Sequence, residues 1–212
     1  MNRLRPRIFR SNPVVVLVTG FGPFGTVKEN PSAELARRLS ARPPNGWEVD
    51  CEVLPVEYRA AREAVQVLAR RSYDAALLLG VHDRDTRMHL ELFGRREVGP
   101  TPDMAGETVG PDWLPPGPER IGSTLFRLPL VQGLGDSRVT WSYSAGGYLC
   151  NAWYYLALAT PGAPPCGFVH VPHSEASKPQ GAHMPLDEQE GLLRAILIPL
   201  ASGLAKCERR VE

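Results

Sequence analysis

Apolar residues along the chain follow two patterns. Continuous apolar runs rich in β-branched residues, such as residues 14–20, are typical of strands that are buried on both faces. In other stretches, such as residues 58–71, apolar residues recur every three or four positions. Ala61, Ala64, Val65 and Leu68 then lie on one face, which indicates an amphipathic helix. We predict strands at residues 14–20, 47–56, 75–81, 138–142 and 166–171, and helices at residues 32–42, 58–71, 151–159 and 186–204.

Three segments fit neither pattern. Residues 86–93 alternate, with Met88, Leu90 and Leu92 on one face and His89 and Glu91 on the other. Residues 98–120 contain six prolines and four glycines, which predicts a long ordered loop or lid. The pattern of residues 121–135 is ambiguous.

Strands that alternate with helices indicate an α/β fold with a largely parallel sheet, in which ligands bind at the carboxyl ends of the strands. No internal repeat or domain boundary is visible. We expect residues 1–12 to form a flexible N-terminal lead-in and residues 13–212 to form a single α/β domain.

Composition and charge exclude several classes of function. The 212 residues carry 24 basic and 23 acidic side chains, so no strong field attracts nucleic acid. The four cysteines form no CxxC pair, which argues against a disulfide framework or a structural zinc site and favours free thiols in a cytoplasmic protein. The apolar run at residues 13–21 is too short to span a membrane, so we expect no membrane partner.

Cys150 is the strongest candidate for a catalytic residue. It lies between a glycine-rich turn, Ser144-Ala145-Gly146-Gly147, and an apolar helical stretch. The dipole of a helix N-terminus favours a thiolate, and the free N–H groups there can stabilise an oxyanion. A buried structural cysteine is the alternative, and it is the more common fate of a free cysteine.

His170 and Glu91 are candidates for the partners of this thiol. His170 lies near the carboxyl end of a short apolar strand that ends at Pro172, where an α/β enzyme places a general base. Glu91 could accept a hydrogen bond from His170 Nδ1–H and orient the ring. Taken singly, a core histidine hydrogen-bonded to the backbone is at least as good an interpretation of His170, and a solvated surface carboxylate is the better interpretation of Glu91.

Residues 82–85, His-Asp-Arg-Asp, together with His89 raise the question of a metal site. Their spacing matches no zinc or calcium pattern, and we predict a solvated, self-paired charge cluster and no metal.

Taken together, four motifs in this order resemble the pyroglutamyl peptidase I family, also called pyrrolidone-carboxylate peptidases. They are G-F-x-P-F-G at residues 20–25 followed by Asn-Pro-Ser at 30–32, an eleven-residue spacing from Gly80 to Glu91, S-A-G-x-Y-x-C-N at 144–151, and G-F-x-H-x-P at 167–172. Pro102-Asp103 is a weaker match.

The resemblance implies an α/β/α sandwich with a twisted, mixed, largely parallel sheet. It implies a triad of Cys150, His170 and Glu91 that removes N-terminal pyroglutamate from peptides through a thioacyl intermediate, without metal or cofactor. It also implies that Phe21 and Phe24 line the pyrrolidone pocket, although plain core packing is an alternative for one of the two. The family often forms dimers or tetramers.

The chain departs from the family at residues 81–85, which read Val-His-Asp-Arg-Asp instead of a Gln-Ala-Gly-Gly-Arg-like run, and at Leu92 and Arg96. Backbone groups near Val81 could still pair with a lactam, because they survive side-chain changes. Two alternatives therefore stay open. One is a related cysteine amidase with a different N-terminal or lactam substrate, and the other is a non-catalytic binding homologue.

Overall fold

The order of strands and helices follows the predicted α/β alternation. The computed structural model describes residues 13–126, 135–178 and 180–207, and the predicted lead-in at residues 1–12 lies outside them. The strands are β1 (Val14–Phe21), β2 (Trp47–Leu54), β3 (Ala75–His82), β4 (Met88–Glu91), β5 (Phe93–Arg95), β6 (Arg120–Gly122), β7 (Val139–Ser142) and β8 (Cys166–Pro172). The helices are α1 (Pro31–Ala41), α2 (Tyr58–Glu63), α3 (Leu149–Ala159) and α4 (Leu186–Cys207), with 3₁₀ helices at Ala64–Ala69 and Pro111–Trp113.

Six strands form one sheet in the order β2-β1-β3-β8-β4-β7. Strands β2, β1, β3 and β8 are mutually parallel, whereas β4 runs antiparallel to β8 and parallel to β7. Strands β5 and β6 form a separate antiparallel pair. The predicted mixed, largely parallel sheet is therefore confirmed.

Helices cover both faces of the sheet, as an α/β/α sandwich requires. One apolar core joins α1 and α4 to alternate strand residues such as Val16, Val18 and Val169. The other core joins α2, the first 3₁₀ helix and α3 to the intervening residues, such as Leu17 and Phe168. Because side chains alternate along a strand, one short strand contributes to both cores. Within the described ranges, no helix is both long and apolar enough to cross a membrane.

Some predicted boundaries differ from the structure. The helix predicted at residues 58–71 continues beyond Glu63 as a 3₁₀ helix, and its buried residues Ala61, Ala64 and Val67 are spaced by three, the 3₁₀ period. Residues 86–93 do not form one strand, because β4 belongs to the large sheet and β5 pairs with β6. The loop predicted at 98–120 includes the 3₁₀ helix at 111–113 and the first residue of β6. Residues 127–134 of the ambiguous segment lie outside the described residues.

The Asn-Pro-Ser segment connects α1 to the end of β1. Asn30 is the N-cap of α1, where its Oδ1 accepts the Ser32 backbone N–H at 3.1 Å, and its Nδ2 donates to Gly22 O at 2.9 Å. Ser32 Oγ accepts the Phe21 N–H at 3.0 Å. These bonds hold the first turn of α1 against the strand end that carries Phe21, so this motif has a structural role beside any role in binding.

We predict that Gly20→Ala destabilises the protein, whereas Gly22→Ala is tolerated. A Cβ at Gly20 would lie 2.6 Å from the Ser32 carbonyl carbon and 2.7 Å from Ala33 N, and backbone atoms of a helix cannot move aside alone. A Cβ at Gly22 would meet only Leu54 O, at 3.6 Å. Overpacking of this kind costs about 1–3 kcal/mol. Thermal and urea unfolding of both variants measure the difference, and equal stabilities would contradict the predicted clash.

Candidate active site

His170 and Glu91 form a buried hydrogen-bonded pair at the centre of the sheet. His170 Nδ1 lies 2.7 Å from Glu91 Oε1, and the Glu91 side chain has 0% exposure. The two residues lie on the neighbouring antiparallel strands β8 and β4, and both project toward α3 because Val169 and Leu90 next to them face the other core. Glu91 is thus not a surface charge, and the polar face of the alternating segment points into the protein.

This contact determines the tautomer of His170. A carboxylate can only accept, so we assign the ring hydrogen to Nδ1. The lone pair then lies on Nε2, the atom that a general base uses. Burial lowers the pKa of His170, although the hydrogen bond and charge of Glu91 act in the opposite direction. The imidazole is therefore neutral at pH 7 and able to take up a proton.

Cys150 is the second residue of α3, which begins two residues earlier than predicted, after its N-cap Tyr148. Its sulfur lies directly above Gly80 of β3, where an added Cβ would be 2.7 Å from Sγ. Gly80 is the register partner of His170, so the sulfur and the imidazole occupy the same patch of the sheet. Among the described residues, no direct hydrogen bond joins them.

The protonation state of Cys150 differs from our expectation for a helix N-terminus. Burial and, to a smaller extent, the charge of Glu91 raise the pKa of the thiol to about 12, although Arg84 acts in the opposite direction. Desolvation therefore outweighs the helix dipole, and the resting group is a neutral thiol beside a neutral imidazole. A nucleophilic role for Cys150 then requires proton transfer to a base during the attack.

A small cavity of about 90 Å³ opens beside the sulfur. Phe21 and Phe24 contribute its aromatic walls, and Val81 also lines it, so the three predicted pocket residues meet at Cys150. Phe21 belongs to the core as well, with 4% exposure, so for this residue core packing and pocket lining coincide. The full lining consists of Phe21, Phe24, Asn30, Val56, Val81, Tyr148, Leu149 and Cys150.

The backbone of Val81 is available to a ligand in this cavity. Ala76 N–H donates to Pro165 O, so the even residues of β3 direct their backbone groups toward β8 and the odd residues toward β1. The β1–β3 pairing ends at Thr19 and Leu78. In the described part of the chain, no ladder partner therefore reaches the N–H and C=O of Val81 on the side of Phe21.

The predicted loop at residues 98–120 is pinned beside the cavity by Asp103. This buried carboxylate accepts backbone N–H groups of Tyr58 at 2.8 Å and of Ala105 and Glu107 at 2.9 Å each. The Tyr148 hydroxyl, one residue from α3, donates to Pro102 O at 3.1 Å. The Pro102-Asp103 match thus corresponds to an anchor that orders the loop.

The cluster at residues 82–89 is only partly self-paired, because Asp85 pairs with Arg87 and His89 but Asp83 pairs with His173 and Lys178. It is also not solvated as predicted, because its histidines are buried, with 8% exposure for His82 and 6% for His89. His82 Nδ1 accepts the Arg84 N–H at 3.0 Å, and His89 Nδ1 faces Arg84 Nη1 at 3.4 Å. Each Nε2 therefore carries the hydrogen and donates, to Arg87 O and to Asp85 Oδ1. The groups of His82, Asp85 and His89 lie within 4.8 Å of one another, but this pattern leaves the histidines no lone pair for a metal.

Arg84 is a residue of the site that we did not single out from the sequence. Its guanidinium group extends from the β3–β4 loop to Ser142 Oγ at 2.9 Å, to Ser144 O at 2.7 Å and to Glu91 Oε1 at 3.4 Å. In the sequence, the departure of residues 81–85 from the family pattern was the sign that this loop differs. Sequence spacing alone could not show that Arg84 contacts the Glu91 carboxylate.

A larger cleft of about 560 Å³ lies between the N-terminal ends of α1 and α4. Four of its eleven lining residues are acidic (Glu29, Glu34, Glu175 and Asp187), and neither a cysteine nor a histidine lines it. The smaller cavity is the candidate site because it contains the thiol.

Comparisons with known proteins identify one peptidase family. A family model described as pyroglutamyl peptidase matches residues 14–196. The pyrrolidone-carboxylate peptidase of Deinococcus radiodurans is 37% identical over 174 residues, which cover 76% of this chain and 79% of that protein. Pyroglutamyl-peptidase 1 of Rattus norvegicus is 32% identical over 201 residues, covering 91% and 92%. A mutant pyrrolidone carboxyl peptidase from Pyrococcus furiosus superposes with a TM-score of 0.80 at 28% identity, covering 90% of this chain and 99% of the other.

We predict that His170 titrates below its ordinary pKa of 6.5 and that Glu91→Gln lowers the value further. Because the folded state binds this proton less readily than the unfolded chain, the group contributes stability above pH 6.5 that is lost as the pH falls through the folded pKa. Histidine-ring NMR over pH 4–8 is the measurement, with the His170 signal identified by its loss in His170→Asn. A midpoint above 6.5, or a rise in Glu91→Gln, would contradict the assigned burial and pairing.

Proposed function

Because the chain belongs to the pyroglutamyl peptidase family of cysteine peptidases, we propose that it removes N-terminal pyroglutamate from peptides with Cys150, His170 and Glu91 as the catalytic groups. The observation that carries this assignment is the position of the thiol. On one side of the Cys150 sulfur lies a small cavity without charged residues. On its other side lies the part of the sheet that contains the His170–Glu91 pair.

The chemistry of the cavity favours a lactam. Its walls carry no charged side chain, so a protonated N-terminal amine would lose its hydration without a counter-ion, which costs several kcal/mol. A pyroglutamyl ring is neutral and flat, and it fits between Phe21 and Phe24. Its N–H and C=O pair with the C=O and N–H of Val81, the backbone groups that the strand ladder leaves open.

The acyl transfer follows from the protonation states of the resting groups. His170 Nε2 takes the proton of Cys150 as Sγ attacks the pyroglutamyl carbonyl carbon, and Glu91 stabilises the imidazolium that forms. The first intrahelical bond of α3 runs from Ala152 N–H to Tyr148 O, so within the described ranges the N–H groups of residues 149–151 are free to stabilise the oxyanion.

Collapse of the tetrahedral intermediate breaks the C–N bond. The leaving amine takes the proton from His170, and the pyroglutamyl group stays on Sγ as a thioester. Water then attacks the thioester carbonyl while His170 accepts a proton from it. Departure of the sulfur, which regains a proton from His170, releases pyroglutamate and restores the thiol.

The cellular setting is part of the same proposal. The mechanism needs a reduced thiol, and Cys51, Cys150 and Cys166 are free, which suits the cytoplasm. Assembly into a homodimer or homotetramer stays a prediction that sedimentation velocity would test.

We predict that Cys150→Ser lowers kcat/KM for a pyroglutamyl anilide by at least about 10³-fold, because a serine hydroxyl is a much weaker nucleophile for a buried neutral imidazole to activate. Cys51→Ser is the matched control, because Cys51 is a free, half-buried cysteine in β2, and its activity should equal that of the unaltered protein. Steady-state hydrolysis is the measurement. Turnover by Cys150→Ser near that of the unaltered protein would rule out the thiol mechanism.

We predict a preference of at least about 100-fold in kcat/KM for the pyroglutamyl anilide over the prolyl and glutaminyl anilides. The two competitors carry a charged amine, and desolvation of about 3 kcal/mol already corresponds to this factor. A preference for another anilide that depends on Cys150 would favour an amidase of altered specificity. Binding of pyroglutamate without hydrolysis of any anilide would favour a non-catalytic homologue.

A further inference from the structure

The carboxylate of Glu91 creates an electrostatic conflict within the site. Its charge supports protonated His170, which the proposed attack requires. The same charge raises the pKa of Cys150, so it opposes formation of the thiolate and of the oxyanion that follows. The carboxylate is fully buried, and in the described part of the chain its Oε2 has no hydrogen-bond partner. Solvent therefore contributes little screening of this charge.

Arg84 is positioned to offset that conflict. Its Nη1 lies 3.4 Å from Glu91 Oε1, the oxygen that also binds His170. The positive charge lowers the pKa of Glu91, of His170 and of Cys150. It therefore favours the thiolate of Cys150 and keeps Glu91 ionised, but it also destabilises the protonated form of His170.

The same guanidinium group connects the segments that carry the catalytic groups. Ser142 ends β7, and Ser144 begins the turn that leads to Cys150, and both accept hydrogen bonds from Arg84. The backbone of Arg84 is held in turn, because its N–H donates to His82 Nδ1 at 3.0 Å. Arg84 thus joins the β3–β4 loop, the carboxylate and the turn before the thiol.

We propose that Arg84 is a positioning residue for the reaction, which holds the turn before Cys150 against Glu91 and balances the buried carboxylate so that the thiol can ionise. The inference rests on the proposed function for its effect on turnover. The titratable groups that face this region are His82 of β3, His89 and Glu91 of β4, His170 of β8 and Cys150 of α3, with Asp85 in the loop.

The test compares Arg84→Gln with Arg87→Gln. Arg87 lies in the same loop, and its side chain pairs with the partly exposed Asp85 at 2.6 Å, so this control removes an equal charge without touching Glu91. For Arg84→Gln we expect kcat to fall about tenfold with KM changed less than about twofold, because the lactam cavity is not lined by Arg84. The acid limb of the kcat/KM profile should move up by about 0.5 pH unit, because removal of a nearby cation raises the pKa of His170 and Glu91.

Arg84→Lys separates charge from folding. It keeps the positive charge but loses the planar set of guanidinium N–H donors. The acid limb of its kcat/KM profile should therefore stay within about 0.2 pH unit of the unaltered protein, and its kcat should lie between those of Arg84→Gln and the unaltered protein. Circular dichroism checks that Arg84→Gln folds. If it does not fold, Arg84→Lys decides: a shift of its acid limb by about 0.5 pH unit or more overturns the proposal. A change in Arg84→Gln that Arg87→Gln matches, or no change in either, overturns it as well.

Alkylation of Cys150 distinguishes this inference from the proposed function. Iodoacetamide labelling needs no substrate, and peptide mass spectrometry separates Cys150 from the other cysteines. Slower labelling in Arg84→Gln at pH 8, but not in Arg87→Gln, supports the electrostatic effect of Arg84 even if no anilide is hydrolysed. Equal labelling rates in a protein that does hydrolyse the pyroglutamyl anilide would leave the proposed function standing and overturn the role of Arg84.

Discussion

The buried contact between Glu91 and His170 is the constraint around which the site is arranged. A carboxylate with no solvent exposure requires a donor, and an imidazole in the same interior gains its tautomer and orientation from that carboxylate. The fold supplies the pair through strand geometry. Strand β4 runs antiparallel to β8, and the alternation of side chains directs both residues to the α3 side while their neighbours fill the opposite core.

The same face of the sheet also has to accommodate a helix N-terminus and a sulfur atom. Gly80 makes this possible, because an added Cβ there would contact both Cys150 Sγ and Phe168 Cζ at 2.7 Å. The absence of a side chain at one strand position thus creates the space for the thiol beside His170. Close packing there explains why the thiol is desolvated and why the proposed attack requires a base.

The cavity in front of the sulfur is uncharged, whereas the groups behind it are charged or titratable. This division suits a neutral lactam and an acyl transfer in which charge develops only during the reaction. The β3–β4 loop departs from the family pattern in side chains, but the geometry of the backbone at Val81 does not depend on them. Arg84 in that loop connects to the carboxylate, so the altered sequence brings a cation to the place where negative charge is buried.

The local sequence pattern and the order of the motifs were enough to predict the fold class and the family of this protein. Apolar runs and helical spacing predicted the α/β order, and this prediction succeeds because strand alternation and helix periodicity are short-range properties. The residue types at 91, 150 and 170 indicated an orienting carboxylate, a thiol and a base, and these catalytic roles stay predictions. Only the tertiary structure decided which charges are buried. Glu91 and His89 resemble surface residues in an alternating segment. Glu91 is buried against His170 of the neighbouring strand, and His89 is buried against His82 and the β3–β4 loop. The contact of Arg84 with Glu91 and the raised pKa of Cys150 likewise depend on three-dimensional proximity and desolvation, which sequence spacing does not contain.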